Sequence, residues 1–307
     1  MLVVSVEQMR AMEREADARG VSYAEMMERA GRGVAALVDA EYGEEESRRA
    51  TALVGSGNNG GDALVALESL ARAGWQAQAY LVRPRPENDA LLERARSAGV
   101  EIAAVSDDPE YRVLTTWLLD AVVLLDGVLG TGFQLPLREE IASVLRVARQ
   151  YANDLHVIAI DCPSGVDCDS GEAAPEAVPA EITLCMQAVK QGLLRYPAYE
   201  LAGELRVVDL NLPEALETAR EVHLFMADGE TTARYLPKRP DTAHKGTFGT
   251  LLIAAGSTYY TGAALLAARG AYRIGTGLVR LAVPAPLHAS LAGQFPEATW
   301  LLLPHEM

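Results

Sequence analysis

Cysteine is scarce. Cys162, Cys168 and Cys185 are the three in 307 residues, an odd count without a Cys-x-x-Cys spacing, which excludes a disulfide framework and points to a reducing cytoplasm. Cys162 and Cys185 stand in apolar surroundings, as small core residues do. Basic charge is also short. The 27 Lys and Arg against 42 Asp and Glu give a formal charge of −15, which leaves no basic face for nucleic acid. Long apolar runs are missing: none reaches the roughly 20 residues of a membrane helix. Met1 to Arg14 carries acidic residues in an amphipathic pattern and lacks the apolar segment of a signal peptide. The expected setting is cytoplasmic, with a small molecule as partner and neither nucleic acid nor membrane.

What is present is enough apolar residue, half of the chain, to bury one large core or two smaller ones, and domains of roughly 100 to 200 residues favour two. The boundaries expected are 1–213 for the first domain, 214–238 for a connector of mixed polarity and 239–307 for the second domain. The first is organised around Val54 to Leu64. A short β-prone run, Thr51 to Val54, meets a strong helix former, Ala63 to Ala73, across a turn filled by Gly55, Gly57, Gly60, Gly61 and two asparagines. Such a turn brings backbone close to a ligand and presents the unpaired first amides of a helix to an anion. The letters Gly-x-Gly-x-x-Gly are a weak signal alone; Asn58, Asn59 and Asp62 add a polar cluster to them. Asp62 sits where it either complements the helix dipole and caps, or serves a site.

Around this turn, Ser5-Val6-Glu7-Gln8 reads as a capping box opening a helix to about Arg19 closed by Gly20, and Ser22-Tyr23-Ala24-Glu25 as a second box opening a helix to about Tyr42. Strands are expected at Gln76 to Val82 and Glu101 to Val105, with a helix from about Asn88 to Ala98 between them, and at Leu205 to Leu210. Ala121 to Leu125 and Val157 to Ile160 are continuously apolar, as strands of a parallel sheet covered on both faces are. They end at Asp126 and Asp161, each followed by a loop with glycine and a hydroxyl residue. Ligands of such sheets sit outside the carboxyl ends of the strands. The asparagine oxygen, carboxylates, hydroxyls and carbonyls there make an oxygen-rich environment suited to a hard cation.

These residues resemble a known family. Gly55-Ser56-Gly57-Asn58-Asn59-Gly60-Gly61-Asp62, Asp126 with Gly130-Thr131-Gly132, Asp161-Cys162-Pro163-Ser164-Gly165 and Lys190-Gln191-Gly192-Leu193 occur in the order of the NAD(P)H-hydrate epimerase, or YjeF N-terminal, domain. The resemblance implies a Rossmann-like three-layer α/β/α domain with a mostly parallel sheet. It implies an enzyme that interconverts the R and S forms of hydrated NADH or NADPH, usually with a potassium ion. By the family pattern Asn58, Asn59, Gly60, Gly61, Asp62, Gly130, Thr131, Gly132, Phe133, Gln134, Leu135, Pro136 and Asp161 line the hydrated nucleotide, and Asn59, Asp126 and Ser164 hold the potassium. Asp161 is the candidate acid and base. Ala63 stands where the family often has a further glycine, a departure whose methyl group has room to crowd the ligand but is not expected to abolish binding. Lys190 either contacts phosphate or is a solvated loop charge.

The last part resembles the beginning of the ADP-dependent NAD(P)H-hydrate dehydratase, a ribokinase-like α/β fold. Its bearers are His244-Lys245-Gly246, Tyr260-Thr261-Gly262-Ala263-Ala264, Gly275-Thr276-Gly277-Leu278-Val279 and Phe295-Pro296-Glu297. The resemblance covers 235–307, and the family's later Gly-rich motif with its aspartate has no counterpart here. An incomplete ribokinase-like domain is therefore expected, without dehydratase activity, and with ADP as ligand only where that domain is complete. A homo-oligomer, a dimer through the helices of 5–42, is expected from their apolar faces. Two other readings stand beside the epimerase. A nicotinamide-dependent oxidoreductase lacks the acidic residue expected about 20 positions past the turn, where Arg83 follows the strand instead. A non-catalytic nucleotide-binding or scaffold domain of the same fold has no need of Asn59, Asp126, Asp161 and Ser164 together.

Overall fold

The computed structural model describes residues 1–304, which fall into two compact units divided after Gly229. In the first unit β1 (Val3–Val4) leads to α1 (Val6–Ala18) and α2 (Tyr23–Tyr42), and then strands and helices alternate: β2 (Arg49–Val54), α3 (Asn58–Arg72), β3 (Gln76–Leu81), α4 (Ala90–Ser97), β4 (Glu101–Ala104), α5 (Arg112–Asp120), β5 (Val123–Gly127), α6 (Glu139–Tyr151) and β6 (His156–Ile160). After β6 come β7 (Ile182–Met186), β8 (Val189–Lys190), α7 (Ala198–Ala202), β9 (Glu204–Val208) and α8 (Glu217–Arg220), with α9 (Gly229–Tyr235) at the boundary between the units. Seven strands form one all-parallel sheet in the order β4-β3-β2-β5-β6-β7-β9. The expected α/β three-layer architecture is what forms.

The layers follow from side-chain alternation along buried strands. Ala50, Ala52 and Val54 of β2 face Val34, Leu64, Leu67, Leu70 and Leu92 from α2, α3 and α4. Leu53 of the same strand faces Leu114, Leu118, Val144 and Leu145 from α5 and α6. Two helices meet closely because α2 carries Gly31 at the crossing: a Cβ there would lie 2.5 Å from the Val65 Cβ and 2.7 Å from the Asp62 carbonyl oxygen. The sequence pattern predicts neither α5 nor β7.

Both expected N-caps form, but one box is half a box. The Ser5 hydroxyl accepts from the Gln8 N–H at 3.1 Å and the Gln8 Oε1 accepts from the Ser5 N–H at 2.8 Å. The Ser22 hydroxyl accepts from the Glu25 N–H at 3.3 Å, whereas the Glu25 carboxylate turns to Arg29. The stretch expected as a connector, 214–238, is divided between the units. Its first part packs inward, with Leu216 and Val222 buried against Val4, Met9 and Met12.

The second unit has a parallel sheet of β10 (Thr250–Ala254), β11 (Leu278–Pro284) and β12 (Thr299–Leu303), with α10 (Thr261–Ile274) and α11 (Ala285–Leu291). Its core gathers Ala264, Leu265, Ala268, Val279, Leu281 and Leu291. No helix among the described residues is long and apolar enough to cross a membrane.

Candidate functional site

Strand order reverses between β2 and β5: the chain steps from β2 to β3 and β4 on one side and returns to β5 on the other. Ligands of parallel sheets bind outside such a point. A cleft of about 390 Å³ lies there.

The glycine turn forms one wall. Gly57 is the N-cap of α3 and offers no side chain to the first amides of the helix, which leaves them as donors for a ligand. Gly55 and Gly60 are needed for closeness: a Cβ on Gly55 would lie 1.9 Å from the Val128 carbonyl oxygen, and one on Gly60 would lie 2.0 Å from that of Gly55. Ala63 is fully buried and lies against Gly127, where a built Cβ would be 2.7 Å from its methyl group. Its methyl is not on the cleft wall, so the crowding expected of it is taken up by Gly127.

Of the residues expected to line the ligand, Asn58, Asn59, Asp62, Gly130, Thr131, Gly132, Phe133 and Asp161 line the cleft. Gly60 and Gly61 do not; a Cβ on Gly61 would lie 2.6 Å from the Met27 sulfur, so this glycine serves the contact with α2. Gln134 is off the cleft wall, and Leu135 and Pro136 line a second cavity of about 400 Å³ with Ala142 and Pro175.

Asp126 and Ser164 lie beneath the cleft rather than on its wall. They are 1% and 0% exposed. The Asp126 carboxylate accepts from the Ser164 N–H at 2.7 Å and from the Ser164 hydroxyl, and Ser164 Oγ accepts from the Leu129 N–H at 2.9 Å. Asn59 Nδ2 donates to the Leu129 carbonyl at 3.0 Å. Burial pushes the Asp126 carboxyl up, and the hydrogen bonds from Ser164 and Val128 oppose it. The three residues expected to hold a cation are thus brought together around Leu129. Groups of three or more His, Cys, Asp or Glu suited to a metal are absent among the described residues.

Asp161 is built differently. It follows β6 in a left-handed conformation, φ 66°, and its N–H donates to the Leu184 carbonyl at 2.8 Å. Its Oδ1 accepts from the Met186 N–H at 3.0 Å and from the Lys190 ammonium, which also donates to the Met186 carbonyl at 3.0 Å. Lys190 is 1% exposed, so it is neither a solvated loop charge nor a phosphate contact. It is buried because β8 pairs with β1, opposite Val4. Burial works against its charge, yet the Asp161 carboxylate outweighs this and holds the ammonium above its usual range.

Two further carboxyls reach the cleft. Asp62 lies beyond the first turn of α3, is 8% exposed and caps nothing. Burial, then Asp161 and Glu13, push it well above the carboxylate range, with Lys190 opposing. Glu13 of α1, raised mainly by burial, completes the group. The sequence signal for it was available: Met9, Met12 and Ala16 are the buried stripe of α1, and a residue four after Met9 falls on that stripe. The three cysteines are free and buried. Burial raises the Cys185 thiol to about 12, and a hydrogen bond with Cys168 followed by burial raises Cys162. Such thiols are inert.

Several known proteins are similar. The bifunctional NAD(P)H-hydrate repair enzyme Nnr of Gloeobacter violaceus is 34% identical over 307 aligned positions, covering 96% of this chain and 58% of its own length. The protein of that name from Thermofilum pendens is 34% identical over 306 positions, covering 98% and 56%. The chain spans a little over half the length of these curated relatives. The solved structure of the yeast protein ynu0 (YNL200c) superposes with a TM-score of 0.58 at 19% identity, over 67% of this chain and 87% of its own, which is a likeness of fold. Residues 23–192, more than half of the chain, match the family described as YjeF-related protein N-terminus. That span runs from the start of α2, past the glycine turn and both strand-end aspartates, to Lys190, and the chain belongs to this family.

Proposed function

We propose that the first unit repairs hydrated NADH or NADPH by interconverting its R and S epimers. One observation carries the reading: a carboxylate, Asp161, is fixed by a buried ammonium at the wall of a cleft that the uncapped start of helix α3 also lines. The names of the relatives agree with it.

The chemistry needs little more. The hydrate carries a hydroxyl on the carbon next to the ring nitrogen, so protonation of that hydroxyl releases water and leaves a cation stabilised by nitrogen. Water then returns to either face. A positioned carboxyl that gives and takes the proton contributes about 10²- to 10⁴-fold. Both hydrogen bonds to Asp161 go to Oδ1, which leaves Oδ2 for the substrate. The amides of α3 and the loop from Gly130 to Phe133 hold the nucleotide, and Met9, Met26 and Met186 restrict water.

A potassium ion fits the same residues. Asp126 is a buried carboxylate whose partners are Ser164 and Val128, none of them cationic, and Asn59 donates its amide N–H to the Leu129 carbonyl, which leaves its oxygen as a ligand for the ion. Asn59, Asp126 and Ser164 would hold the ion, and a hard monovalent cation suits an oxygen set of one negative charge. When bound it supplies positive charge that neutralises Asp126 under the nucleotide. The second unit belongs, on this reading, to the dehydratase half of the relatives, and ADP is its ligand only where that half is complete.

The test is chiral separation of R and S hydrated NADH over time, with and without the full chain and with and without ADP. Accelerated interconversion without return of NADH is expected. Asp161→Asn should slow interconversion by about 10²-fold or more while nucleotide binding persists; full activity in that variant removes Asp161 from the mechanism.

A further inference from the structure

Inversion at one ring carbon requires water to leave from one face and to return to the other. A single carboxyl assists one face of a flat cation held in place, so by itself it favours return of water with retention and leaves attack on the other face unassisted. The cleft holds more than one. Asp161 after β6, Asp62 in α3 and Glu13 in α1 reach it from three separate elements. Asp161 is spoken for by Lys190. Asp62 is nearly as buried as the core around it, yet among the described residues no hydrogen bond or ion pair reaches its carboxyl, and no enclosed side-chain oxygen is left without a partner. Its oxygens therefore open to the cleft and await a ligand.

We propose that Asp62 is the second catalytic group of the epimerisation, protonating the hydroxyl that leaves one face while Asp161 takes a proton from the water that attacks the other. This rests on the epimerase reading above. The C–O bond breaks as its electron pair goes to oxygen, which takes the Asp62 proton and departs as water. The nitrogen lone pair forms the C=N bond. Incoming water then makes the new C–O bond, the C=N electrons return to nitrogen, and Asp161 accepts the proton of that water. One water leaves, one is added, and one proton has passed from Asp62 to Asp161. The opposite epimer is converted with the roles exchanged, and proton exchange with water in the cleft resets the pair between turnovers. Burial, Asp161 and Glu13 favour the neutral acid at Asp62, and the Lys190 ammonium donates to Oδ1 of Asp161, which leaves Oδ2 toward the cleft. Arg10, Tyr23 and Arg83 also line the cleft.

Running the reaction of hydrated NADH in ¹⁸O-water separates the two roles, because loss and return of the hydroxyl is read by ¹⁸O uptake and inversion by chiral separation. With the full chain, uptake and inversion are expected together and above the protein-free rate. In Asp62→Asn, inversion should fall by about 10²-fold or more while ¹⁸O uptake with retained configuration continues, and Asp62→Glu should restore part of the inversion. Inversion within a few-fold of the parent in Asp62→Asn, or uptake and inversion falling in equal proportion, would overturn the proposal and leave the epimerase reading standing. Absence of both uptake and inversion in the parent chain overturns the epimerase reading and this one with it. Asp62→Ser serves in the same assay if the asparagine variant does not fold, with the same outcomes deciding.

Discussion

Asp126 and Asp161 close neighbouring strands of one parallel sheet, each after an apolar run and before a glycine and hydroxyl loop, and the fold gives them opposite surroundings. Asp126 is sealed beneath the cleft and satisfied by neutral donors, the N–H and hydroxyl of Ser164 and the N–H of Val128. Asp161 is turned onto the wall of the cleft by a left-handed backbone and held by the buried ammonium of Lys190. A carboxylate without a cationic partner is a place for an added cation, and a carboxylate with one is a fixed, charged group that can exchange protons with a ligand. Similar strand-end signals thus produce a sealed carboxyl among neutral donors and an ion-paired carboxylate on the cleft wall, side by side, and on the proposed reading these are the cage and the reactive edge. What decides between them is a partner far away in sequence.

The largest effect should come from removing that partner. Lys190→Met leaves Asp161 uncompensated, and breaking a buried pair by deleting one member costs about 3–5 kcal/mol. Urea unfolding should show this loss, epimerisation should fall with it, and the response to potassium at the Asp126 end should remain. A variant as stable as the parent would mean that the pair does not hold the cleft. Next is Asp126→Asn. The parent chain should melt higher in potassium chloride than in tetramethylammonium chloride, by about 2.7 kcal/mol of stabilisation at a hundredfold excess over Kd, and the variant should melt alike in both. Potassium stabilisation that survives in Asp126→Asn places the ion elsewhere. Ser164→Ala follows, since it strips the Leu129 N–H of its acceptor and Asp126 of a donor, at about 1–3 kcal/mol for buried groups left unsatisfied. The loss should be read in thermal melting, with the Lys190 pair untouched.

Much of the Asp126 side is legible in sequence because its parts are local: the turn at Gly55 to Asp62, the strand end and the Ser164 loop each announce themselves, and parallel topology brings them together. The Asp161 side is less so. Lys190 reads as either a phosphate contact or a solvated loop charge until β8 is seen paired with β1, a contact between Val3–Val4 and the last stretch of the family motif. Glu13 hides in a helix that satisfies every rule of an amphipathic surface element, and only its register on the Met9 and Met12 stripe gives it away. The direction of 134–136 is equally non-local. Phe133 faces the cleft and Leu135 the second cavity, and no pattern within the loop distinguishes them.

Glu13 provides the smallest effect and the finest probe of which end a group belongs to. Burial raises its carboxyl above the ordinary 4.5; Asp161 adds to this, and Lys190, Arg10 and Arg14 oppose it. A carboxyl raised on folding favours the neutral acid in the folded chain, so its contribution is complete below 4.5 and is lost as pH rises through the folded value. Glu13→Gln cannot ionise. Its melting temperature should therefore match that of the parent at low pH and move above it as pH rises through that window, with a constant gap beyond. Replacing Asp161 by Asn removes a repelling charge and frees the Lys190 ammonium to act on Glu13, both of which pull the window down toward 4.5. Asp126→Asn should leave it in place, since Asp126 is not among the charges acting on Glu13. A window that ignores Asp161 but follows Asp126 would reverse the assignment of Glu13, and with it the division of the two strand ends into a cage and a reactive edge.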